Sequence, residues 1–119
     1  MEGEDEKMNW TSVGGLIGLC GVAAGAFGAH GLKSVVSPAR METFEIAVRY
    51  QMYHALAVLL AGVLGAPGAA WCFLIGTLVF SGSLYVLVLT EQRWLGAVTP
   101  LGGLLLMVGW LLLALNARK

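Results

Sequence analysis

Apolar residues fall in four long runs, Trp10–Ala29, Phe44–Leu64, Ala69–Leu89 and Leu95–Leu115, and polar residues gather between and outside them. At 1.5 Å of rise per residue, each run makes a helix of about 30 Å, the thickness of a bilayer's hydrocarbon core. Little chain is left over to build a domain in water. The pattern predicts an all-α integral membrane protein, a compact bundle of four transmembrane helices at about 10–30, 38–64, 69–90 and 95–116. These form one domain over 10–119, behind an acidic leader, 1–9, that reads as flexible.

Within the first helix, Gly14, Gly18, Gly21, Gly25 and Gly28 share one stripe at 100° per residue, opposite Leu16, Leu19, Ala23 and Phe27. Gly14–Gly18 and Gly21–Gly25 are G-x-x-x-G pairs, which admit a neighbouring backbone at close range. That neighbour is either another helix of the chain or a second copy. Ser37 suits an N-cap and Pro38 the first helical position, where no amide donor is needed, so the second helix starts ahead of its apolar run. From Pro38 to Leu64 it is about 40 Å long, so its first turns protrude or the helix tilts. One face carries Glu42, Glu45, Arg49 and Tyr53; the other carries Ala47, Gln51, His54 and Val58 and reads as bundle interior. Gly65-Ala66-Pro67-Gly68 is a turn that pairs the second and third helices antiparallel. On the third, Ala69, Cys72, Gly76 and Ser83 share a small face, with Ser81 and Tyr85 on another. In the fourth, Gly102 and Gly109 make a further close-contact stripe. Either Thr99 caps a helix that begins at Pro100, or Pro100 kinks a longer one.

Composition sharpens this picture. Apolar residues make up 58% of the chain and charged ones 12%, about half the soluble-domain share. Net charge is zero, which removes the electrostatic case for nucleic acid. The segment before the first run is acidic, unlike the basic start of a signal peptide, and three further spans follow, so the first helix reads as retained. Trp10, Trp71 and Trp94 stand at span starts, where indoles anchor in the headgroup region. Lys7, Arg118 and Lys119 fall on one side of the membrane, and Lys33, Arg40, Arg93 and the nearby Arg49 on the other, a near balance that sets no orientation.

Four strings occur in order: Gly25-Ala26-Phe27-Gly28-Ala29-His30, Tyr50-Gln51-Met52-Tyr53-His54, Phe80-Ser81-Gly82-Ser83-Leu84-Tyr85 and Thr99-Pro100-Leu101-Gly102-Gly103, followed by Gly109-Trp110. Together they resemble the signature of the transmembrane protein 256 family, whose bacterial members are catalogued as domain of unknown function 423. The resemblance covers roughly Val13 to Leu115. It implies a small four-span protein of bacterial inner membranes or mitochondria, with no established activity and no assigned catalytic residues.

The best candidate for a polar or ligand site is Tyr50, Gln51 and His54 with Ser81 and Ser83. Polar groups in a span are costly and often functional, and Tyr50 and His54 are i, i+4, so one is placed to orient the other's proton. The structural alternative is that Gln51 and His54 hydrogen-bond a neighbouring helix, through Ser81, Ser83 or backbone freed near Pro100. Glu42, Glu45 and Arg49 read as interfacial ion pairs, Glu45 and Arg49 being spaced i, i+4 in the favourable order. Their functional reading is the mouth of a pathway or a docking surface. His30 and His54 without a third clear ligand fall short of a metal site, and Cys20 and Cys72 lack metal or redox spacing. Ser81-Gly82-Ser83 has neither an adjacent base nor a nucleophile elbow. No catalytic residue, metal or cofactor is therefore expected. The expected partners are the lipid bilayer and a homo-oligomer or larger membrane complex. The expected function is that of a non-catalytic accessory, assembly or self-associating component. The alternative is a small oligomeric transporter or channel for an ion, proton or small molecule, working through the His54/Gln51 face.

Overall fold

The computed structural model describes residues 8–116. The acidic leader as far as Lys7, with Arg118 and Lys119, lies outside them. Four helices long and apolar enough to cross a membrane account for nearly all of the described chain: α1 (Trp10–Leu32), α2 (Pro38–Val63), α3 (Pro67–Thr90) and α4 (Leu95–Asn116).

Local chemistry fixes most of the ends. Asn9 caps α1 by accepting from the Ser12 amide at 3.1 Å. Ser37 caps α2 in the same way through the Arg40 amide at 3.3 Å, with Pro38 in the first turn. α3 starts at Pro67, two residues before the apolar run, because proline's missing amide is harmless at a helix start. It ends where Glu91 turns left-handed (φ 58°) and returns its amide to the Leu87 carbonyl. The loop between α2 and α3 turns at Gly65, whose φ of +68° suits a residue without a Cβ.

One feature departs from the sequence expectation. α1 runs on to Leu32 through a π-helical turn at Ala24–Gly28, which widens the helix at Gly25 and Gly28. α4 is continuous through Pro100, in keeping with the 95–116 span and the longer-helix alternative, and Thr99 does not cap a helix beginning there. Short i→i+3 turns from Gln92 lead into α4 at Leu95, and the Thr99 hydroxyl bonds back to the Leu95 carbonyl at 3.2 Å. That arrangement places Pro100 in the second turn, where its missing amide removes a single backbone bond.

α2 and α3 form the central hairpin, with α1 seated on α2 and α4 on α3. The hairpin is packed through small residues: Val58, Ala61 and Ala70 are fully buried around Phe73, and Ala47 is fully buried nearer the start of α2. α1 and α4 bury the smallest shares of their length. The glycine stripe of α1 faces α2 within the same chain. A Cβ added at Gly14 would meet Leu59, one at Gly28 would meet Phe44, and one at Gly25 would come 3.1 Å from Val48. Gly18 is looser, with Ala55 at an ordinary 3.8 Å. On the other side, Gly76 faces Leu106, Gly102 lies on the Phe80 backbone, and Gly109 receives the Phe73 ring. Trp10 and Trp71 meet edge to face at 5.1 Å where α1 and α3 begin.

Candidate functional site

Gln51 and His54 stand one turn apart on the buried side of α2, each nearly shielded from the surroundings (7% and 4% exposed). The Gln51 amide nitrogen donates to the Ile17 carbonyl of α1 at 2.9 Å, and its oxygen accepts from the Tyr85 hydroxyl of α3. Gly21 borders this contact. It lies one turn beyond Ile17, and a Cβ there would stand 3.5 Å from the Gln51 nitrogen and press on Met52. One side chain thus ties three helices together.

His54 joins the fourth. Its Nδ1 lies 2.7 Å from the Tyr50 carbonyl, which only accepts, so Nδ1 carries the hydrogen. Its Nε2 accepts from the Trp110 indole nitrogen of α4 at 3.0 Å. Both ring nitrogens are therefore engaged. Around them, Phe73 packs against Trp110 at 4.9 Å and His54 at 5.7 Å, and Tyr50 packs against Phe80 at 4.9 Å. A lateral cleft of about 450 Å³ opens beside this cluster, lined by Tyr53, Gly103 and Met107 among others.

The expected pairing of Tyr50 with His54 through their side chains is not formed. Histidine bonds the carbonyl one turn back, and the two rings stack at 6.2 Å. Ser81 and Ser83 do not bond Gln51 or His54 either. The Ser81 hydroxyl donates to the Ala47 carbonyl of α2 at 2.7 Å, while Ser83 bonds the Phe80 carbonyl at 3.0 Å and the Thr99 hydroxyl of α4. Each serine lies on a different face of α3, so the five candidates stitch separate helix contacts and do not converge on one point.

Glu42, Glu45 and Arg49 lie exposed on α2, and no ion pair closes among them. Exposed i, i+4 pairs gain too little to hold two long side chains in place. The ion pair among the described residues is Arg40–Glu91 at 3.7 Å, and the Arg40 guanidinium also donates to the Val88 carbonyl. This arginine neutralises the carbonyl end of α3 and clamps it to the start of α2. Sequence reasoning missed Trp110 as the partner of His54. The available signal was an indole well inside a span, where its N–H needs a buried acceptor. Among the described residues no group of three or more histidine, cysteine or acidic side chains is placed to hold a metal.

Gln51→Leu is expected to destabilise the bundle by about 1–2 kcal/mol, since it removes two interhelical hydrogen bonds. Equilibrium unfolding in mixed micelles checks this, and an unchanged midpoint would mean that the bonds to Ile17 and Tyr85 contribute nothing.

A model of the family described as "Protein of unknown function (DUF423)" matches residues 24–103. A UPF0382 membrane protein of Staphylococcus haemolyticus (strain JCSC1435) is 45% identical over 113 residues, covering 90% of this chain and 93% of that protein. The UPF0382 membrane protein YwdK of Bacillus subtilis (strain 168) is 36% identical over 115 residues, covering 90% and 94%. No solved structure matches the chain.

Proposed function

This chain belongs to the DUF423 family of membrane proteins, and from that premise we propose that it is a non-catalytic membrane component that works by association. The observation that carries the reading is the engagement of Gln51, His54 and Ser81; the buried Thr77 hydroxyl, by contrast, has no partner among the described residues. Both nitrogens of His54, both ends of Gln51 and the Ser81 hydroxyl are committed to bonds within or between helices. A proton or ion relay needs groups free to exchange partners. Here each exchange would break a helix contact. The central hairpin, closed on fully buried alanines and Val58, leaves no room between α2 and α3 for a conduit.

Two experiments test this. Mild extraction from native membrane followed by mass spectrometry should recover a stoichiometric protein, either a different chain or further copies of this one. Recovery of a lone chain that carries only a small solute would count against it. His54→Ala leaves the Trp110 N–H without its acceptor, and should lower stability by about 1–2 kcal/mol with no effect on flux in proteoliposomes. A well-folded variant that had lost a transport activity present in the wild type would overturn the reading.

A further inference from the structure

Along one exposed face of α2, Glu45, Arg49 and Tyr53 follow at intervals of one turn, with Glu42 ahead of them. None of the four side chains closes a hydrogen bond or ion pair with another described residue. Counting about 20 residues of hydrocarbon back from Val63 puts the membrane edge near Phe44. The carboxylates therefore stand at or above the edge. Arg49 starts about 6 Å below Glu45, and Tyr53 about 6 Å deeper again. Helical side chains tilt towards the helix start, which here is outward, so the arginine reaches back to headgroup level. Charged groups at such a depth are costly and are found paired.

Two spaces follow one another along this face. Pro38, Met41 and Ile46 join the two glutamates and Arg49 around a recess of about 520 Å³. At Tyr50 and Tyr53 the lateral cleft of about 450 Å³ begins, lined further by Phe80 of α3 and by Leu106 and Met107 of α4. From the water inward, α2 thus offers carboxylates, a guanidinium, a phenol hydroxyl and an apolar cleft. A phospholipid with an amine in its headgroup offers the complements in the same order: ammonium, phosphate, ester carbonyl and acyl chain. The guanidinium fork matches phosphate geometry. Two carboxylates beside one guanidinium decide the rest of the headgroup. A purely anionic one meets more repulsion than attraction there. A quaternary ammonium carries no N–H for the carboxylates to accept, whereas a primary ammonium is a donor throughout.

We propose that this face binds one phospholipid whose headgroup joins a phosphate to a primary ammonium, as in phosphatidylethanolamine. The ammonium lies on Glu42 and Glu45, the phosphate on Arg49, an ester carbonyl on the Tyr53 hydroxyl, and an acyl chain in the cleft. The site does not depend on the associating role and goes beyond it.

The test titrates the full chain in detergent with phosphatidylethanolamine, phosphatidylcholine or phosphatidylglycerol of matched chains, and counts bound lipid by native mass spectrometry. The first phosphatidylethanolamine should bind about tenfold tighter than either of the others, through its charge-assisted hydrogen bonds. Successive methylation of its nitrogen should lower the affinity stepwise. Glu42→Gln combined with Glu45→Gln should bring phosphatidylethanolamine and phosphatidylcholine to near equality, and Arg49→Gln should weaken all three lipids. These side chains are exposed, so folding is spared. Glu91→Gln, which alters the ion pair at the end of α3, should leave the preference unchanged. Gly103→Leu tests the cleft: a Cβ there makes only ordinary contact with the Phe80 ring, at 3.7 Å, so the larger side chain extends into the cleft. It should weaken binding of every lipid and keep their ranking. Equal affinity for the three lipids, a preference for phosphatidylglycerol, or a phosphatidylethanolamine preference that survives the double glutamine variant would each overturn the site.

Discussion

Gly102→Leu is expected to unseat α4 from α3, with a loss of about 3 kcal/mol or more. A Cβ at this position would lie 2.9 Å from the Phe80 Cα and 3.0 Å from the Gly76 carbonyl oxygen, and nearer still to the Phe80 amide nitrogen. All three are main-chain atoms on a packed helix, so no rotamer change makes room. At Gly14 the nearest atoms belong to the Leu59 side chain, which can give, with one main-chain atom, the Ala55 carbonyl oxygen, at 3.0 Å, and the cost there should be smaller. Gly82 and Gly96 supply the controls. Nothing lies within 4 Å of a Cβ built at either, so alanine should be neutral or stabilise by up to about 1 kcal/mol through helix propensity. Unfolding midpoints in mixed micelles separate these outcomes. A wild-type midpoint for Gly102→Leu would mean that α3 and α4 do not cross there.

Phe73→Ala should cost about 3 kcal/mol. The ring is fully buried, fills the space left by Gly109, and packs on both members of the His54–Trp110 pair. In a bilayer the separated helices already lie in hydrocarbon, so the loss is one of packing rather than dehydration. Removal of the ring also frees the indole to tilt, so the His54 bond should weaken along with the packing. Phe73→Leu should recover most of the stability. Near-ultraviolet circular dichroism provides the second reading, because an indole released from its neighbours loses its fixed environment. An alanine variant with wild-type stability and an unchanged aromatic spectrum would show that Phe73 does not hold this junction.

The spans were legible because they rest on local rules. Run length, Ser37 with Pro38, and the turn at Gly65 each act through neighbouring residues, and the helices begin and end within two residues of the expected positions. The glycine stripe of α1 was legible for the same reason, since helical periodicity alone puts those five positions on one side. Its evenness was not: the depth of each contact depends on which α2 side chain stands opposite, and Ala55 leaves room at Gly18. The burial of Gln51, His54, Ser81 and Ser83 was legible, and their wiring was not. Spacing along one helix pairs Tyr50 with His54, yet the partner that completes His54 is Trp110, 56 residues away, and nothing within α2 points to it. Thr99 left two readings open, and the structure takes the longer helix. Its side chain does bond a backbone group, but the one behind it, so the helix continues.

The order of the helices along the chain bears on how the protein is made. α2 is the least apolar of the four spans, and it carries Gln51 and His54 into lipid. Of the groups those two side chains bond on other helices, Tyr85 and Trp110 have not yet been synthesised when α2 leaves the ribosome, whereas the Ile17 carbonyl is already in the membrane. The span least able to enter the bilayer alone therefore follows directly after the one whose glycine face is shaped to receive it. A chain re-engineered to place α1 last would deliver Gln51 to the translocon with no acceptor waiting, and should insert less efficiently for that reason.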